Sequence, residues 1–113
     1  MTDKQFYIVW GEALKSSDRD VYISEWSTSS IWGLPEDLSD NGLLEIAAKL
    51  GNIWDVAHMS VKDLCKAAGM TQAAFAQWRC IPKRTVENWC GGQRGCTDYD
   101  RLMMAELLGL IKR

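Results

Sequence analysis

The stretch Thr71 to Gly92, TQAAFAQWRCIPKRTVENWCGG, constrains the fold more than any other part of the chain. Thr71 is a helix-capping residue whose hydroxyl can accept from the unpaired N–H groups of a first turn. Ala74, Phe75 and Trp78 are the candidate inner face of that helix. A turn follows at Cys80-Ile81. Pro82 is expected at the first position of a second helix, where a missing N–H costs nothing. Val86 and Trp89, three apart, point inward in that second helix, and Gly91-Gly92 stops it. Two short helices held across a tight turn are the layout of a helix-turn-helix.

With Val86 and Trp89 inside, Lys83, Arg84, Glu87 and Asn88 face out. Lys83 and Glu87 are four apart, as are Arg84 and Asn88, so the four make one patch. Arg or Lys can donate to guanine O6 and N7, and Asn can pair with adenine N6 and N7. Glu87 can accept from cytosine N4 or hold Lys83 in place. The bland alternative for such a patch is an ordinary solvated helix face.

Thr71 to Gly92 resembles the helix-turn-helix of the lambda-repressor-like (Cro/C1, or XRE) family of bacterial and phage regulators. The matching features are Thr71-Gln72, the small Ala76 five positions after the Thr, and Cys80 and Ile81 at the turn. Thr85 and Val86 supply the Thr and aliphatic pair of the second helix, and no gap is needed. Gly92, a basic cluster and a Leu-rich final helix also fit, so the resemblance runs from about Ser60 to Leu110. It implies that Lys83, Arg84 and Asn88 reach base edges. It implies phosphate contacts for Gln72, Thr85, Gln93 and Arg94. The chain departs from the pattern in two respects. The turn carries Cys80 where the family usually has Gly, which points to a positive φ. Arg79 stands where an aliphatic is usual, and Trp78 where an exposed residue is usual. Either the helix is rotated so that Trp78 fills the core, or Arg79 packs its stem and snorkels.

The charge balance agrees with a phosphate-facing C-terminal half. Residues 1–59 hold 4 basic and 10 acidic residues, a net −6, whereas residues 60–113 hold 9 and 5, a net +4. Phosphate attraction depends on local charge, so an overall −2 does not oppose binding. The gaps between Cys65, Cys80, Cys90 and Cys96 match no zinc-finger spacing, and small buried apolar residues are the expected roles. No metal or other cofactor is expected. No apolar run reaches 18 residues, and the first residues lack the pattern of a secretory signal, so a reduced, cytoplasmic protein without a membrane span is expected.

Elsewhere the periodicity is helical. Phe6, Val9, Trp10, Ala13 and Leu14 predict a first helix, although Phe6 to Trp10 also suits a strand. Ser16-Ser17-Asp18 is a break, and Asp20 to Trp26 suits a short helix. Pro35 to Asp40 reads as an acidic loop. Leu43, Ala47, Leu50, Trp54 and Ala57 predict a longer helix that Gly51 can split in two. Ser60 with Asp63 resembles a capping box, Val61, Leu64, Cys65 and Ala68 form the face behind it, and Gly69 is placed to end that helix. Thr97 and Asp100 mark a last, very apolar helix formed by Leu102, Met103, Leu107 and Leu110 with Met104 and Leu108 beside them. Six tryptophans are many for this length; four precede Ser60 and suit a core or a partner surface. The lone His58 suits a structural role. No nucleophile–His–acid set appears, so no enzyme is expected.

The expected protein is all-α, a helical bundle with an acidic, Trp-rich region at 1–59 and a C-terminal helix-turn-helix DNA-binding domain at 60–113. Its expected function is sequence-specific binding of double-stranded DNA as a small bacterial or phage-type transcriptional regulator, working as a homodimer. A possible protein partner is assigned to the N-terminal half. The alternative is a protein-binding module, antitoxin or inhibitor that keeps the helix-turn-helix as scaffold or for autoregulation.

Overall fold

The computed structural model describes residues 1–32, 40–92 and 95–113. These residues are all-helical: α1 (Asp3–Lys15), α2 (Arg19–Ser27), a 3-10 turn (Ser30–Trp32), α3 (Asp40–Ala57), α4 (Val61–Ala68), α5 (Gln72–Arg79), α6 (Lys83–Cys90) and α7 (Asp98–Leu107). The acidic loop expected at Pro35 to Asp40 lies, up to Ser39, outside the described residues. Among the described residues no helix is long and apolar enough to cross a membrane. The chain divides into two compact units, Met1–His58 with Arg113, and Met59–Lys112.

In the first unit α1 and α2 pack on α3. Thr2 and Gln5 form a reciprocal capping box, which selects helix over strand for Phe6 to Trp10. The inward residues of α1 are Phe6, Val9, Trp10 and Ala13, while Leu14 is half-buried. Asp18 caps α2 by accepting from the N–H groups of Asp20 and Val21. The buried Tyr22 hydroxyl donates to the Val9 carbonyl at 2.7 Å, tying α2 to α1. Burial raises its pKa, with a further push from Glu12.

The split that Gly51 allows does not occur: α3 runs unbroken through it. The glycine answers to packing instead. A Cβ there would lie 2.6 Å from Arg19 Nη2 and 3.4 Å from Ile23 Cδ1, so α2 rests on a helix face with no side chain. Arg19 passes over that face to Asp55, with Nε 2.9 Å from Oδ1. Leu50, Ile53, Val56 and Ala57 are buried on α3, but at its N-terminal end Leu43 and Leu44 are 38% and 66% exposed. His58 stacks on Trp54 at 4.0 Å, and its Nε2 lies 2.9 Å from the Ala13 carbonyl, a structural placement.

In the second unit α4, α5 and α6 pack together. Ser60 and Asp63 form the expected capping box. Thr71 and Thr97 cap α5 and α7 through the N–H groups of Ala74 and Asp100. Of the apolar residues expected on α7, only some turn inward. Leu102, Met104, Ala105 and the following Ile111 are buried, whereas Met103 and Leu107 are 51% and 68% exposed. The inward arc is centred on Ala105 and Arg101. The Arg101 guanidinium donates to the Met59 carbonyl and pairs with Asp98. Tyr99, Met103 and Leu107 therefore occupy the opposite arc. In so apolar a run, periodicity does not mark which arc is inside.

Candidate nucleic-acid interface

The turn between α5 and α6 is built by backbone bonds. Cys80 N–H donates to the Gln77 carbonyl, and Ile81 N–H reaches back to the Ala76 carbonyl at 3.0 Å. This paired ending needs one residue in the left-handed region, and Cys80 takes it at φ 60°, ψ 43°. The same ending recurs after α4 and α7. There Met70 N–H bonds the Cys65 carbonyl and Leu110 N–H bonds the Ala105 carbonyl, and the left-handed residues are Gly69 and Gly109. Cys80 is the one non-glycine among the described residues with positive φ.

Pro82 sits one residue earlier than expected: it is the N-cap of α6, and Lys83 is the first helical residue. Its ψ of 139° is extended, and its carbonyl accepts from Thr85 N–H. Proline carries no side-chain acceptor, so the leading N–H groups of α6 have no side-chain cap. They point a partial positive charge outward from the same end that carries Lys83 and Arg84.

Within α6, Val86 is fully buried and Trp89 is half-buried. Lys83, Arg84 and Glu87 are exposed, and Asn88 and Thr85 are half-exposed beside them. Lys83 Nζ lies 3.6 Å from Glu87 Oε1, an exposed pair that neutralises part of the patch at little energetic gain. Arg84 has no ion pair among the described residues. Gln72 opens α5 and is half-buried. Gln93 and Arg94, the other expected phosphate contacts, lie outside the described residues.

Both open positions on α5 are settled by its neighbours. Phe75 and Ala76 are buried, while Ala74, expected on the inner face, is only half-buried. Moving the inward arc toward Ala76 puts Arg79 on it and leaves Trp78 at its edge. Trp78 tilts against Phe75 at 5.3 Å. Arg79 packs its stem and sends Nη2 to Asp100 Oδ1 at 2.9 Å, with its Nε buried and unpartnered. Asp100 is the residue that sequence reasoning missed. A partner 21 positions away leaves no local signal, and Asp100 was legible only as part of a cap.

The cysteines divide rather than sharing one buried role: Cys65 is buried, Cys90 and Cys96 are half-buried, and Cys80 is exposed. Burial pushes the Cys65 thiol up to about 11, with Cys90 facing it from α6 adding to the rise. Burial also raises Cys90, against the opposing pull of Cys65 and of the Lys62 charge. Cys96 is pushed up to about 11 by burial and then by the Asp100 carboxylate. Among the described residues no group of His, Cys, Asp and Glu side chains could hold a metal ion.

No protein-family model, curated protein sequence or solved structure matches this chain.

Proposed function

We propose that the chain binds double-stranded DNA sequence-specifically through α6, as a small cytoplasmic transcriptional regulator of the helix-turn-helix kind. The observation that carries this reading is the two-sidedness of α6. Val86 is fully buried on one side, and Lys83, Arg84, Glu87 and Asn88 stand on the other. An α-helix fits the major groove, and Arg, Lys and Asn are the side chains that pair bidentately with guanine and adenine edges. The cap-free start of α6 adds backbone N–H groups that suit a phosphate. The resemblance of Thr71 to Gly92 to the lambda-repressor-like pattern supports the same assignment. One such helix covers only a few base pairs, so a homodimer on a near-palindromic site is the expected working form.

The test is binding to a random-sequence duplex, followed by fluorescence anisotropy between 50 and 200 mM salt. Affinity should fall steeply with salt, because each neutralised phosphate releases counterions. The double variant Lys83→Ala, Arg84→Ala should bind more weakly and with a shallower salt slope. An absence of binding by the wild type at low salt, or unchanged binding by the double variant, rejects the proposal. Selection from random oligonucleotides then separates roles: Asn88→Ala should lose preference at one base position, not weaken all sequences alike.

A second reading rests on the first unit. Leu43 and Leu44 stand exposed beside Ser27, Thr28 and Ala47 in a largely apolar groove of about 420 Å³. Exposed apolar surface of this kind suits a protein partner, as in an antitoxin or inhibitor. Failure to bind DNA would move the assignment to this reading.

A further inference from the structure

The cations of the second unit are not neutralised evenly. Arg79 and Arg101 are held by Asp100 and Asp98 of α7. On α4, by contrast, Lys62 and Lys66 are exposed and have no ion pair among the described residues. They are four apart, so they stand one above the other on the same side of that helix. The neighbouring side of α4 carries Cys65, which faces Cys90 at the end of α6. Lys62 is near enough to Cys90 for its charge to act on the thiol. In α6 the residues above Cys90, one turn apart, are Val86 and Glu87, with Lys83 a further turn away. Because α4 packs on α6, Lys62 lies beside the Cys90 end of the α6 flank that bears Lys83 and Glu87, and Lys66 follows one turn further along α4.

A helix lying in the major groove, about 12 Å wide, has a sugar–phosphate wall on each side. An element packed along its flank lies over one of those walls. We infer that Lys62 and Lys66 form a second row of phosphate contacts, set on α4 beside the reading helix, for the backbone of a duplex held by α6. This rests on the duplex-DNA reading above and extends its contact surface to a helix outside Thr71 to Gly92. A lysine is a compact point charge on a flexible stem, so the row would position the duplex without reading its sequence.

The experiment compares wild type, the double variant Lys62→Ala, Lys66→Ala, the charge-keeping variant Lys62→Arg, Lys66→Arg, and Lys4→Ala from the acidic half. All are titrated with one random-sequence duplex between 50 and 200 mM salt. At a slope of about 0.9 per phosphate contact, two lost contacts over a fourfold change in salt correspond to about 12-fold. The wild type should therefore lose about 12-fold more affinity across this range than the double alanine variant. The double arginine variant and Lys4→Ala should keep the wild-type slope, and all urea midpoints should agree. If the double alanine variant keeps the wild-type slope while Lys83→Ala, Arg84→Ala lowers it, the second row is wrong and the reading helix stands. If the wild type binds no duplex at low salt, both fail together.

Discussion

Replacing Cys80 by glycine should stabilise the second unit. Cys80 is held at φ 60°, a conformation that costs a residue with a Cβ roughly 1–2 kcal/mol. Glycine removes that cost but gives the unfolded chain more freedom, which offsets roughly 0.5–1 kcal/mol. Little packing is lost, because Cys80 is exposed and its Sγ lies 3.7 Å from the Gln77 carbonyl, a weak contact. The net gain is about 0.5–1 kcal/mol. For an m-value near ~1.5 kcal/mol/M this raises the urea midpoint by roughly 0.3–0.7 M at unchanged slope. Cys80→Ala separates backbone from thiol: it keeps the Cβ and should stay within about 0.5 kcal/mol of wild type. Gly69→Ala supplies the reverse case, since Gly69 has φ 68° in the same bonding pattern and open space around it. It should destabilise by about 1 kcal/mol. Urea unfolding followed by circular dichroism measures all three. A Cys80→Gly midpoint at or below wild type, or a Cys80→Ala midpoint matching Cys80→Gly, would refute backbone strain as the controlling quantity at this turn.

Two further outcomes follow from packing. Val86→Ala should cost about 2 kcal/mol, from two buried methyl groups at about 0.8 kcal/mol each plus the cavity they leave, whereas Asn88→Ala on the same helix should leave the urea midpoint almost unchanged. Gly51→Ala should be close to neutral in the wild type, since a helix-propensity gain of roughly 1 kcal/mol is offset by displacing Arg19 from Asp55. In an Arg19→Ala background the same change should stabilise by about 0.5–1 kcal/mol, and additivity across this double-mutant cycle would show that Arg19 does not constrain Gly51.

The local punctuation of this chain was readable because each signal acts within a few residues. Ser60 with Asp63, Thr71 and Thr97 all cap the helices they were expected to start, and Gly69 and Gly91-Gly92 stand at helix ends. The positive φ at Cys80 was implied by a family pattern with glycine there, and the backbone adopts it. Pro82 was displaced by one position because its fixed φ suits both the N-cap and the first helical residue. Only the ψ of 139°, set by the preceding turn, separates the two.

What the chain determined alone is most of its helices and the polarity of α6: one side carries Val86, the other Lys83, Arg84, Glu87 and Asn88. Tertiary packing decided which arcs of the more ambiguous helices turn inward. Gly51 is legible as a helix breaker until the Arg19 side chain is seen occupying the space a Cβ would need. Met103 and Leu107 are legible as core until Arg101 is seen claiming the inward arc of α7. Arg79 could take an aliphatic's place on α5 only because Asp100, folded against it from α7, receives its guanidinium. The physical reason is common to all three. Caps and turns are settled by bonds within one or two turns of helix, whereas burial depends on a neighbour whose approach no local spacing encodes.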